Sequence, residues 1–191
     1  MKKILLLFVI LIYAVSLNAQ NKYFNLTPHW LVSVQDTNKN YVVVTMDSCS
    51  AEQMYKKTIN YINKSYKNPD AVIRGKSENE FLTFITYSTI FTFEDGWGIT
   101  NVVSGEYFTT ISYKNNKIKI SFFDINMKSS GVNFDLIGSV MWSKFFVYYK
   151  SDLTLFKPDR KAKEKIELFF NNKVNEIISG INKSDTKSES W

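Results

Sequence analysis

The sequence predicts an α+β fold in which an antiparallel sheet carries its two main helices on one face. Two observations favour this class. Residues 71–125 are rich in β-branched and aromatic side chains, and short turn signals separate these runs. The stretches on either side, residues 51–67 and 159–181, repeat apolar residues at the spacing of an amphipathic helix.

Composition indicates a folded chain and excludes several classes of site. The 191 residues are 45% hydrophobic and 16% aromatic, so a disordered or collagenous chain is excluded. A single Cys excludes an internal disulfide and multi-cysteine zinc sites, and a single His argues against His-rich metal sites. The net charge of +6 is dispersed rather than gathered in a stripe, which argues against nucleic-acid binding. No P-loop, dinucleotide-binding or Gly-x-Ser-x-Gly motif occurs, so neither a cofactor nor a metal ion is expected.

Residues 1–19 are typical of a secretory signal peptide. Lys2 and Lys3 provide the positive start, an apolar run spans residues 4–15, and Ala19 offers a small residue at the cleavage position before Gln20. The run is shorter than the roughly 20 residues that a membrane-spanning helix needs. We therefore expect export, with no stable membrane span after cleavage; an uncleaved anchor is the alternative.

The first half of the mature chain combines short strands with one helix. Residues 20–28 are predicted to be a polar lead, and residues 30–34 and 41–46 to be strands. Ser50 and Gln53 form a capping box at the start of the predicted helix 51–67. Pro69 ends that helix, because the residue before proline avoids the helical conformation.

The second half is predicted to be mainly β-structure closed by a helix. The expected elements are a strand at 71–74, one bent strand or two at 81–93, strands at 99–103, 107–113 and 118–125, and a helix at 159–181. Gly105 marks a turn, Asn115 and Asn116 mark a tight hairpin, and residues 127–131 read as a loop. Residues 20–181 would thus form a single domain, followed by a polar tail at 182–191.

Several of these segments resemble a known family. They are the Tyr41-Val42-Val43-Val44 strand, the helix start at Glu52-Gln53-Met54-Tyr55, the Tyr66-Lys67-Asn68-Pro69 helix end, the Lys114-Asn115-Asn116-Lys117 turn and the ending from Phe169-Phe170-Asn171 to Trp191. Together they are similar to a secreted bacterial domain of unknown function with a TBP-like fold. The resemblance implies a curved antiparallel sheet with helices on one side. It also implies the periplasm or cell envelope of a Gram-negative bacterium, and it carries no DNA binding and no established activity.

An aromatic surplus in the β-rich region suggests a binding surface. The residues are Phe81, Phe84, Tyr87, Phe91, Phe93, Trp97, Tyr107, Phe108 and Tyr113. Alternation along strands sends such residues to both faces of a sheet, and only one face packs the helices. We therefore expect a ligand or partner surface that includes Phe84, Tyr87, Phe91, Trp97 and Tyr107. The alternative is that residues 132–149 cover that face and enlarge the core.

The residues that might support catalysis form no recognisable signature. Cys49 precedes a predicted helix, where its thiol could act with His29 or pair between molecules. Glu78 with Glu80 and Glu94 with Asp95 fall in predicted turns, where carboxylates are simply solvated. Asp36, Asn38 and Asn40 have the alternate spacing of a calcium loop but lack its Gly and distal Glu.

These observations predict an exported binding or interaction module rather than an enzyme. Its expected partner is an envelope protein or a small apolar ligand bound on the aromatic sheet face. The alternatives are a small envelope hydrolase or thiol enzyme that uses Cys49, and a purely structural protein.

Overall fold

A computed structural model describes residues 21–28, 30–94, 97–129, 132–135 and 159–184. In these ranges the chain forms β1 (Phe24–Leu26), β2 (Leu31–Ser33), β3 (Tyr41–Thr45), α1 (Ala51–Ser65), α2 (Pro69–Val72), β4 (Ile73–Ser77), β5 (Phe81–Glu94), β6 (Thr100–Lys114), β7 (Lys117–Ser129), β8 (Val132–Asp135) and α3 (Asp159–Lys183). The predicted signal peptide at 1–19, most of the segment 132–149 and the tail after residue 184 lie outside the described residues.

The main sheet is antiparallel throughout, in the order β3-β7-β6-β5-β4. Strand β7 is long enough to take two neighbours on one side, β3 along its first half and β8 along its second half. β1 and β2 form a separate two-stranded sheet. The predicted α+β class with a curved antiparallel sheet is confirmed.

Helices α1 and α3 cover one face of the sheet. The core between them is built from alternate strand residues such as Tyr107 and Phe122. The Tyr107 ring packs edge-on against Phe122 and against Phe170 of α3, and the Phe122 and Phe170 rings are tilted by 51°. Burying several aromatic rings in this way supplies much of the hydrophobic stabilisation of such a layer. These ring contacts stabilise only the face of the sheet that the helices cover.

The predicted capping box and hairpin turn are confirmed. Gln53 donates its amide N–H to the Ser50 hydroxyl at 3.1 Å, and its side-chain oxygen accepts from the Ser50 amide at 2.9 Å. Asn116 adopts a φ of 61°, which asparagine tolerates better than most residues. The neighbouring Asn115 accepts the Ala51 amide at 3.1 Å, so the hairpin turn also helps to anchor the start of α1.

The structure corrects several predicted boundaries. Gly105 does not mark a turn but lies inside the continuous strand β6, where a Cβ would meet the Ile90 side chain at 2.4 Å. Met127 lies in β7, which continues to Ser129 where a loop was expected. α1 ends at Ser65, before its predicted end at residue 67, and Pro69 begins α2, whose Asn68 cap accepts the Ala71 amide, so the next strand starts at Ile73.

The predicted polar lead contains strand β1, which side chains of α3 hold in place. Asn171 accepts the amides of Tyr23 and Phe24 at 2.6 and 2.8 Å and donates to the Phe24 carbonyl at 3.1 Å. Glu167 accepts the Leu26 amide at 2.8 Å and pairs with Lys22 at 3.2 Å. β1 therefore combines pairing with β2 and burial of Phe24 and Leu26 with backbone hydrogen bonds to polar groups of a distant helix.

Candidate functional site

The sheet face opposite the helices is the candidate site, and we call it the open face. Residues of α1 and α3, together with Tyr66 at the end of α1, make ring contacts with Phe84, Tyr107, Tyr113 and Phe122, which all point to the other side of the sheet. Strand pairing and alternation then define the open face by these residues: Tyr41, Val43, Phe81, Thr83, Ile85, Tyr87, Glu106, Phe108, Thr110, Ser112, Lys119, Ser121 and Phe123. No helix among the described elements makes a ring contact with it.

An aromatic stack occupies the centre of the open face. The rings of Phe108 and Phe123 lie 5.3 Å apart at an interplanar angle of 20°, and Ile85 sits opposite Phe108 on β5. Tyr87, the next open-face residue along β5, leaves 66% of its surface exposed. Phe81 lies towards the other end of the same strand with 36% exposure. Aromatic residues with this exposure are the type that serve as anchors in interfaces.

A band of hydroxyl groups runs beside the aromatic stack. Thr83 and Thr110 are cross-strand neighbours whose hydroxyls are 2.8 Å apart, and Ser121 lies opposite Thr110 on β7. Tyr41 lies opposite Ser121 and completes the band at the edge strand. These hydroxyls offer donors and acceptors beside an apolar patch, as in interfaces that combine both kinds of contact.

Lysine side chains give one margin of the open face a positive charge. The ammonium group of Lys119 lies 5.2 Å from the centre of the Tyr41 ring, and that of Lys39 lies 6.0 Å from it. Both distances fall within the range of a cation–π contact. The open face therefore has an aromatic centre, a hydroxyl band and a cationic margin.

The five residues predicted to form the binding surface do not lie together, and three of them are in the core. Phe84, Phe91 and Tyr107 are only 2%, 8% and 1% exposed, so assigning them to an exposed surface was wrong. Tyr87 lies on the open face as expected. Trp97 is 91% exposed but lies in the turn region between β5 and β6, beyond the paired strands.

The parity of the strands explains this division. Along β5, Leu82, Phe84 and Thr86 face the helices, and the register shift between Thr89 and Phe91 then turns Phe91 to the same side. Along β6 it is the odd-numbered residues, including Tyr107, that are buried. The open face also contains Phe123, which was not predicted. Its pairing with Phe108 follows from the Asn115–Asn116 turn, because the register of the hairpin is unbroken from that turn as far as Phe123.

Tyrosine hydroxyls form a second polar cluster, which is buried under the helices. Tyr66 and Thr86 share a hydrogen bond of 2.7 Å, and Tyr61 donates to Glu176 at 3.2 Å. Burial raises the pKa of the Tyr61, Tyr66 and Tyr107 hydroxyls above the ordinary tyrosine value. The cavity beside them measures about 10 Å³, which is room for one water molecule and no ligand.

The structure describes only some of the residues that were considered for catalysis or metal binding. Cys49 is half-buried just before α1, and its carbonyl accepts the Asn116 amide at 2.8 Å. His29 and Asp95 lie outside the described residues, so the Cys49–His29 pair stays a prediction. Asp36 pairs with Lys39 at 2.7 Å, and that hydrogen bond lowers the pKa of its carboxyl group. Within the described ranges no group of His, Cys, Asp and Glu side chains is arranged to hold a metal ion.

Comparison with known proteins identifies the fold. No protein-family model and no curated protein sequence matches the chain. Among solved structures, it is similar to a DUF4468 family protein from Bacteroides ovatus ATCC 8483, with a TM-score of 0.56 and 14% identity over 77% of this chain and 87% of that one. It is also similar to a TBP-like protein from Parabacteroides distasonis ATCC 8503, with a TM-score of 0.50 and 13% identity over 76% and 92% of the two chains.

These similarities confirm the resemblance at the level of the fold. Both structural neighbours come from bacteria, and their descriptions give a domain of unknown function and a TBP-like fold. At 13–14% identity the likeness establishes the shape of the chain, not its activity. Among the described helices, none combines the length and the apolar character that a membrane span requires.

Proposed function

We propose that this chain is an exported binding module of the Gram-negative cell envelope, and that its open face binds a protein partner. The observation that carries the proposal is that Tyr87, which is 66% exposed, and the half-buried Phe108–Phe123 stack share a sheet face with which no described helix makes a ring contact. Export rests on the signal-peptide pattern of residues 1–19.

The shape of the surface favours a protein over a small ligand. Small-molecule sites are usually concave cavities of about 300–1,000 Å³. Two cavities lined by described residues measure about 230 Å³, in a groove beside Glu167 of α3, and about 10 Å³, in the buried tyrosine cluster, and neither is lined by a residue of the open face. The open face instead offers the exposed aromatic side chains of Tyr87 and Phe81 on a broad sheet, and aromatic residues are enriched in protein interfaces.

Site-specific photocrosslinking in the native envelope tests this proposal. A benzophenone amino acid would replace Tyr87 on the open face, and the matched control would place it at Leu168 on α3, which is 50% exposed. We expect a discrete protein adduct from position 87 that is missing from position 168. Adducts of equal strength at both positions, or none at either, would contradict a partner on the open face.

A substitution then measures the contribution of the anchor. Because Tyr87 is largely exposed, Tyr87→Ala should leave folding unchanged, yet it should weaken binding of the captured partner by about tenfold, as expected for an aromatic anchor. Leu168→Ala is the control and should leave the Kd unchanged. An unaltered Kd for Tyr87→Ala would place the binding surface elsewhere.

A further inference from the structure

The buried tyrosine cluster contains a hydroxyl group that the polypeptide leaves without a partner. Tyr107 is almost completely buried, and within the described part of the chain its hydroxyl forms no hydrogen bond. A buried polar group costs free energy unless protein or water satisfies it, and groups without any partner are rare in folded proteins. The Tyr107 hydroxyl therefore requires a partner other than a side chain or the backbone.

A cavity beside Tyr107 has the size and the polarity to hold such a partner. Its volume of about 10 Å³ is at the lower end of the range of about 10–15 Å³ that one water molecule requires. The polar residues that line it are Tyr61, Tyr66, Thr86, Tyr107, Thr109 and Lys173. Purely apolar cavities stay dry, whereas several hydroxyl groups can give a water molecule the roughly two to four partners that it needs.

The hydroxyls of Tyr66 and Thr86 provide a second proton that needs an acceptor beside this cavity. Their oxygen atoms lie 2.7 Å apart and either can be the donor, so one O–H serves this bond and the other O–H is left to donate elsewhere. Burial raises the pKa of the Tyr107 hydroxyl, and the nearby hydroxyls of Ser88 and Thr86 offset part of that rise. The Tyr107 hydroxyl thus lies near the Tyr66–Thr86 pair without bonding to it directly.

We infer that an ordered water molecule in this cavity bridges the Tyr107 hydroxyl to the Tyr66–Thr86 pair. The water oxygen accepts one proton from Tyr107 and a second from whichever of Tyr66 and Thr86 is left to donate. Its own two protons are then available to other hydroxyl oxygens of the lining, those of Tyr61 and Thr109. Because Tyr66 caps α1, this bridge links the end of that helix to strands β5 and β6.

The inference does not depend on the proposed partner on the open face. The cavity lies on the side of the sheet that the helices cover, since Tyr61 of α1 and Ile177 of α3 line it. Tyr87 projects from the opposite side. The variants below change only buried hydroxyl groups, so failure of one proposal is distinguishable from failure of the other.

Two matched variants distinguish a bridged hydroxyl from one without a partner. Tyr107 and Tyr113 are both buried, and among the described residues neither hydroxyl forms a hydrogen bond, but Tyr113 does not line the cavity. Tyr107→Phe loses the bond to water, so the equilibrium constant for unfolding in urea should rise by about threefold to tenfold. Tyr113→Phe is the control and should leave that constant unchanged or lower it. An unchanged or lower constant for Tyr107→Phe would contradict the bridge, because that result is expected when an unsatisfied hydroxyl is removed.

A double-variant cycle tests whether the water joins Tyr107 to Tyr66. Once Tyr107→Phe has weakened the shared water, Tyr66→Phe has less left to lose. The unfolding constant of Y66F/Y107F should therefore lie at least about threefold below the value expected if the two single effects multiplied. Multiplication to within about twofold would show that the two hydroxyls share no water.

A high-resolution crystal structure of the full chain without its signal peptide locates the water directly. We expect a water peak at about 2.5–3.0 Å from Oη of Tyr107 and from the hydroxyl oxygen of Tyr66 or Thr86. The same peak should be lost or displaced in Tyr107→Phe. Ser88 has a buried hydroxyl that likewise forms no hydrogen bond with the described residues. A direct Tyr107–Ser88 hydrogen bond with no water peak in the cavity would overturn the inference.

Discussion

Asn171→Ala tests whether one buried amide holds β1 against α3. Asn171 is 5% exposed, and its side chain bonds the Tyr23 amide, the Phe24 amide and the Phe24 carbonyl. Alanine removes all of these partners at once. The backbone of Phe24 is buried, so water cannot readily replace the lost bonds.

The expected loss follows from the number of groups left without a partner. Each buried backbone group that loses its hydrogen bond costs about 1–3 kcal/mol, and Phe24 contributes two such groups. Alanine returns up to about 0.7 kcal/mol through its higher helix propensity. We therefore expect the free energy of unfolding to fall by about 3 kcal/mol, which corresponds to a decrease in Tm of about 6–12 °C.

Urea denaturation followed by tryptophan fluorescence measures this loss, with Asn182→Ala as the matched control. Asn182 is exposed near the end of the same helix, so its replacement should be neutral or slightly stabilising. Hydrogen exchange at the Phe24 amide should also accelerate in N171A. A loss below about 1 kcal/mol with an unchanged m-value would refute the role assigned to this amide.

Two other changes probe the packing and the charge of α3. Gly180→Ala would place a Cβ 2.2 Å from Cδ2 of Tyr61, so we expect the free energy of unfolding, measured by calorimetry, to fall by about 1–3 kcal/mol. An unchanged Tm would show that α1 and α3 can move apart to accommodate the methyl group. Burial alone would raise the pKa of Glu167, but Lys163, the Leu26 amide and Lys22 outweigh it and hold that pKa below the ordinary value of 4.5. The stability from this carboxylate is therefore present above about pH 4.5 and is lost as the pH falls through the lowered pKa. In Glu167→Gln the urea concentration at the midpoint of unfolding should consequently change less with pH between about pH 5 and 3 than in the parent chain. An equally steep acid profile in E167Q would assign the pH dependence to other carboxylates.

The local elements were predictable where neighbouring residues decide the backbone conformation. The Ser50–Gln53 capping box and the Asn115–Asn116 turn each act over a few residues, and both form as expected. The resemblance likewise predicted the curved sheet with helices on one face. Strand β1 was missed, because it has only 3 residues and part of its backbone is bonded by Asn171 and Glu167, which are more than 140 residues away.

The candidate site was predicted less well than the fold. Alternation showed that aromatic residues must divide between two faces, but it did not show which parity faces the helices. The bulge between Thr89 and Phe91 changes that parity within a single strand, so Phe91 joins Phe84 on the buried side. Three of the five predicted surface residues were consequently assigned to the wrong face.

Sequence alone determined the class of the fold, the helix start at Ala51, the tight hairpin before Lys117 and the aromatic character of the strands. These properties depend on periodicity, capping and turn chemistry, which act over a few neighbouring residues. Tertiary structure decided that Phe108 and Phe123 stack on the open face and that Tyr107 is buried. The physical reason is that the face and the edge of a strand belong to the assembled sheet, because they depend on register, bulges and the side on which the helices pack.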